Sequence, residues 1–141
     1  MFEVQDEIAH NITQALRITL TPQEEKAIAS KPTENTQAYD YFLRGRAHAR
    51  RETRSDIEFA LQMYEHAIAL DPGFALAHAG VGHACAAMYE FHEQNARWIE
   101  RGVASCEQAL KLEARLPEAL VARARISYVQ KKFDEAIRDA R

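Results

Sequence analysis

The chain has 141 residues, 47% of them hydrophobic and 28% charged, with a net charge of −3 and a pI near 6.1. That balance argues against a nucleic-acid partner, whose footprint is a strongly basic domain, and no apolar run approaches the roughly 18 residues that cross a bilayer. The acidic start lacks the basic-then-apolar order of a secretory signal, and Cys85 and Cys106 are too few for a disulfide framework, so a reducing cytoplasm is expected.

Taken in chain order, Val4, Ile8, Ile12, Ala15 and Leu16 share one side of residues 3 to 19, which predicts an amphipathic helix. Thr21 as N-cap, Pro22 at the first helical position, and Glu24 and Glu25 in the first turn predict a short second helix to about Ser30. Lys31-Pro32-Thr33-Glu34-Asn35 breaks the pattern, so residues 1–35 are expected to be a helical linker. From there the helices come in pairs. Ala38 to about Arg51 is one, and the capping box Ser55-Asp56-Ile57-Glu58 starts the next, which stops at Leu70-Asp71-Pro72-Gly73. Ala75 to about Phe91 and roughly Asn95 to Leu112 follow. Pro117 opens a fifth helix, and Asp134 begins a sixth that the chain end cuts short. No stretch alternates with a period of two, so the expected class is all-α. The abrupt ends suggest a piece of a longer protein.

An internal repeat underlies the pairing. The run Ala60 to Pro72 matches Gly102 to Ala114 at an offset of 42 residues, and the same pattern restarts at Ala136, 34 residues after Gly102. Small residues recur where paired helices must approach closely: Gly45 with Ala60, Gly82 with Gly102, and Ala124 with Ala136. A helix-interior glycine costs up to roughly 1 kcal/mol relative to alanine, so two in equivalent slots point to packing.

This pattern resembles the tetratricopeptide repeat, whose period is about 34 residues. The first repeat carries Tyr41, Gly45, Ala60, Tyr64, Ala67 and Pro72. The second carries His78, Gly82, Gly102, Cys106 and Ala109, with Ala114 where proline is usual. The third carries Leu120, Ala124, Phe133 and Ala136. The resemblance implies an antiparallel helix-pair solenoid over residues 36–141, divided near 38–74, 75–116 and a truncated 117–141. The spacings from Gly45 to Gly82 and from Gly82 to Ala124 are 37 and 42 residues. The surplus around Glu90 to Trp98 predicts longer helices in the middle repeat, with a tip of Phe91, His92 and Trp98 projecting beyond its neighbours. The stretch from Phe2-Glu3-Val4-Gln5-Asp6-Glu7, through Leu20-Thr21-Pro22 and Pro32-Thr33-Glu34-Asn35, to Leu43-Arg44-Gly45-Arg46 is similar to a bacterial segment. That segment joins upstream domains to such repeats in class III adenylate/guanylate cyclases and in winged-helix regulators, often with a TolB-like domain.

In this family the first helices of each pair line an inner groove. The resemblance places Tyr39, Phe42, Arg46 and Arg50 there from the first repeat, Leu76, Ala79, His83 and Ala87 from the second, and Glu118, Val121, Arg125 and Tyr128 from the third. Arg46, His83 and Arg125 share one slot and could form a basic line for an acidic peptide or C-terminal carboxylate. The competing reading is that these are solvated helix residues. His78, His83 and Cys85 scatter around a helix, so no metal site is expected, and the two cysteines read as core. With no phosphate loop, cofactor motif or activated nucleophile, no enzyme activity is expected. The function implied is protein or peptide binding. The alternative is a structural linker or a self-association element that dimerises through the apolar face of residues 117–141.

Overall fold

A computed structural model describes residues 32–139, which fall within one compact unit, Pro32–Arg141. The helices expected over residues 3–19 and 22–30 lie outside the described residues. The described residues form five helices and no strand: α1 (Thr36–Ala49), α2 (Arg54–Leu70), α3 (Ala75–Phe91), α4 (Ala96–Leu112) and α5 (Pro117–Asp139). None of these is long and apolar enough to cross a membrane.

The ends of the helices follow from local chemistry. The Asn35 side chain accepts the Ala38 amide at 3.0 Å and caps α1. Arg46 and His48 lie in its last turn, where the helix dipole favours cations. The chain then reverses through Glu52, whose φ of 58° is the one positive value at a non-glycine residue among those described. That conformation costs about 1 kcal/mol. A tertiary contact offsets it, since the Glu52 carbonyl lies 2.7 Å from Nε2 of His92. The cap of α2 is Thr53, two residues before the expected Ser55. Its hydroxyl accepts the Asp56 amide at 3.2 Å and donates to the Asp56 carboxylate at 2.6 Å, so the box closes on the nearer acid. Asn35 and Thr33 also fasten the start of α1 to the end of α2, the first to the Leu70 carbonyl and the second to the Asp71 carboxylate.

Pairwise contacts give the directions. His48 meets Asp56 while Tyr41 stacks on His66, so α1 and α2 are antiparallel. Gly82 faces Cys106 while Gly102 faces Cys85, so α3 and α4 are antiparallel too. Ala79 packs with Ala119 at one end and Tyr89 with Phe133 at the other, so α5 runs parallel to α3. Helix α3 is the centre, touching each of the other four. Eleven of its seventeen residues are buried, against four of seventeen in α4. A helix apolar on all sides can be stable only when neighbours cover it, and the six alanines of α3 among those eleven let them approach.

Two expectations are corrected. The break between a fifth and a sixth helix is absent, because α5 runs unbroken from Pro117 to Asp139. Nothing from Ser127 to Phe133 is Gly or Pro, so no residue forces a turn there. Ala124 and Ala136 therefore lie on the same helix, both exposed, and cannot face each other. Nor does the corner at Phe91–Trp98 project freely. His92 is tied to the Glu52 carbonyl, and the Trp98 indole N–H donates to Glu93 at 2.9 Å while its ring packs on the core. Glu93 also pairs with Arg54 and Arg97, so the surplus residues form a docked polar corner against the α1–α2 turn.

Candidate functional site

Because α1, α3 and α5 lie side by side, one face of the described unit is lined by these three helices, and a cavity of about 390 Å³ opens on it. Phe42, Arg46 and Ala49 of α1, with Arg50 at its C-cap, form one wall. Leu76, Gly80 and His83 come from α3, Glu118 and Arg125 from α5, Glu52 from the turn, and Tyr64 of α2 lies beneath. The size suits one or two side chains of a ligand and is at the low end of small-molecule sites.

Seven of the twelve sequence-predicted groove residues meet here: Phe42, Arg46, Arg50, Leu76, His83, Glu118 and Arg125. The other five do not. Ala79 is 1% exposed and packs in the core with Ala75, Ala109 and Ala119. Val121 and Tyr128, 57% and 62% exposed, lie on the outer face of α5, opposite the buried Ala122, Ile126 and Val129. Tyr39 stacks on Phe42, 6.4 Å between ring centroids, but sits outside the cavity. Ala87, also expected in the groove, is buried in the core. The approach of α4 and α5 to α3 takes Ala79 into the interior, and Ala87 is buried in the cluster that α3 shares with α1 and α2.

The expected basic line is corrected as well. Arg125 lies 3.3 Å from Glu90 and 3.9 Å from Glu52, with its guanidinium over the Phe91 ring, so its charge is already compensated. Burial holds the His83 imidazole below its ordinary pKa, the Arg125 charge pushes the same way, and Glu118 opposes them. His83 is therefore neutral at pH 7. Arg46 and Arg50 make no ion pair among the described residues, and Arg46 lies over Phe42 at 5.4 Å. Around the cavity, the positive charge unpaired among the described residues thus lies on Arg46 and Arg50, while the α5 side carries Glu118 and the compensated Arg125.

Sequence reasoning assigned Tyr64 only to helix packing. In the structure its ring fills the space between Gly45 of α1 and Gly80 of α3. A Cβ added at Gly45 would lie 2.8 Å from its Cε1, and one added at Gly80 would lie 2.8 Å from its Cζ. Burial pushes the phenol up to about 12, a rise that Arg46 and Arg50 partly offset. The glycine at position 80, beside the one at 82 already assigned to packing, is the sequence signal that could have pointed here.

The cysteines are core residues, as expected. Both are buried, and burial raises each thiol to about 11. Among the described residues no cluster of three His, Cys, Asp or Glu side chains could hold a metal ion.

No protein-family profile matches the chain, and no solved structure gives a significant match. The chain is 38% identical over 82 residues to a Rhizobium meliloti (strain 1021) protein named "Putative adenylate cyclase 3". The match covers 57% of this chain and 14% of that protein, so the chain corresponds to a small part of its relative's length.

Proposed function

We propose that this chain is a tetratricopeptide-type solenoid that binds an acidic peptide or partner domain in its concave groove, as a non-catalytic part of a larger bacterial cytoplasmic signalling protein. In this reading α1–α2 and α3–α4 are two repeats, and α5 is the first helix of a third. The observation that carries it is the cavity across α1, α3 and α5, with Arg46 and Arg50 left without carboxylate partners among the described residues. Unpaired arginines beside an apolar wall of Phe42 and Leu76 suit a carboxylate flanked by an apolar side chain. The signalling context rests on the partial match to the Rhizobium protein and on the resemblance of the leading segment to pre-repeat linkers. No cofactor enters this reading. The test is fluorescence anisotropy with labelled acidic peptides. Arg46→Glu with Arg50→Glu is expected to abolish binding, and equal affinity in the double variant would reject the groove.

A second reading is self-association, favoured by Val121 and Tyr128, which are exposed on the same side of α5. Sedimentation equilibrium across a wide concentration range decides it. Dimerisation lost in Val121→Glu with Tyr128→Glu supports this reading, and a strict monomer rejects it.

A further inference from the structure

We infer that Tyr64 is the specificity-determining donor of this groove, presenting its hydroxyl from the cavity floor to a carboxylate that Arg46 and Arg50 hold; the inference rests on the groove-binding reading above. Three observations carry it. The first is a donor that no described residue uses. Tyr64 is only 3% exposed, yet its O–H makes no hydrogen bond with any described residue. Buried tyrosine hydroxyls normally find a partner. Among the described residues no buried side-chain N or O atom lacks a partner, and Tyr64 lines this cavity, so the inference places its oxygen at the cavity surface.

The second is preorganisation. The ring cannot swing aside, because Gly45 and Gly80 close on it from two helices, and Gly80 lies over the Cζ that bears the hydroxyl. A donor fixed before binding loses little entropy when it bonds its ligand. The third is charge. Arg46 and Arg50 are near enough to act on the phenol, so a ligand oxygen on the hydroxyl is within their field. Glu52 and Glu118 line the same cavity. Two cations unpaired among the described residues, facing two acids, suit a singly charged carboxylate better than a dianionic phosphate.

A carboxylate can come from an acidic side chain or from a chain terminus, and two labelled probes separate these. One is a leucine-containing peptide with internal aspartate and an amidated end. The other is an otherwise neutral peptide ending in leucine with a free carboxylate. The full chain is titrated with each, as wild type, Tyr64→Phe, and Arg46→Glu with Arg50→Glu. Tyr64→Phe keeps the ring and should weaken the preferred probe about tenfold, the loss expected for one hydrogen bond to a charged group. Binding lost in the arginine double variant but unchanged in Tyr64→Phe overturns the Tyr64 assignment and leaves the groove standing. Absence of binding by wild type to both probes overturns the groove reading itself, and the inference with it. If Tyr64→Phe does not fold, ¹³Cζ-tyrosine NMR of the wild type decides. The Tyr64 signal, assigned by elimination with Phe variants of Tyr39, Tyr41, Tyr89 and Tyr128, must move on saturation, and a stationary signal refutes the contact.

Discussion

Replacing Gly80 with alanine sets two effects of known sign against each other. In an isolated helix the change favours folding by about 1 kcal/mol. Here the new Cβ would sit 2.8 to 3.0 Å from Cζ, Cε1 and Cε2 of Tyr64, closer than carbon atoms approach. Relief would require the ring to retreat, but Gly45 already closes on it, with an ideal Cβ there 2.8 Å from Cε1. Overpacking of this kind costs about 1–3 kcal/mol, so the net change should be a destabilisation of roughly 1 kcal/mol. For a domain of this size that lowers Tm by roughly 3–5 °C. The assay is thermal unfolding followed by circular dichroism at the helix band. Gly73→Ala is the control, since its Cβ meets only Asp71 Oδ1 at 3.5 Å and the backbone there is not left-handed. It should be neutral or slightly stabilising. In a Tyr64→Leu background the Gly80→Ala penalty should disappear, because the ring that produces it is gone. A Gly80→Ala protein as stable as wild type would refute the placement of the ring between the two glycines.

The Asp56 carboxyl is held below its ordinary value chiefly by the Thr53 hydroxyl and then by His48. A depressed folded value means stability that is present above the unfolded value and lost as pH falls through the folded one. Asp56→Asn should therefore flatten the acid limb of Tm against pH below the ordinary value of 3.8, and an unchanged limb would refute the cap. Arg125→Met should cost about 0.5–1 kcal/mol in urea unfolding, discounted because the side chain is 28% exposed. Amide exchange in α5 should rise with it, and unaltered exchange would show that the Glu90 and Glu52 contacts do not hold the helix. Cys85 and Cys106, raised to about 11 from 9.0 by burial, should react with a thiol reagent at pH 8 roughly a hundredfold more slowly native than unfolded. Equal rates would place the thiols at the surface.

The helices from Asn35 to Leu112 were legible because their stop signals are local. Pro72-Gly73 ends α2, and Asn95 caps α4 one residue ahead of Ala96. Residue pairs assigned to close packing by repeat spacing also meet where both helices exist: Gly45 lies against Ala60 and Gly82 against Gly102. Reading failed where the repeat pattern was extrapolated across a segment with no local signal. Ala136 resembles Ala60 and Gly102, but no breaker separates it from α5, and continuing a helix by one residue is easier than nucleating another. The start of α2 was misplaced for a subtler reason. Thr53 and Ser55 are both competent caps with an acid three residues on, and the contacts of Asp56 with His48 and Arg51 from the preceding helix and turn favour the first.

The site was legible in residue type but not in charge. Helical spacing brings Arg46, His83 and Arg125 to one face, and a linear reading counts three positive groups there. Charge at a site is set by neighbours distant in sequence, however. Glu90 and Glu52 reach Arg125 from 35 and 73 positions away, and burial takes the proton from His83. Both effects depend on how α5 sits against α3, which no single-helix pattern encodes. The same packing explains Tyr64. Its ring is a core residue by every local criterion, and only the convergence of Gly45 and Gly80 from two other helices fixes it where it lines the cavity. On the proposed groove reading, a substitution at either glycine should alter binding and stability together, whereas Arg46 and Arg50 should alter binding alone.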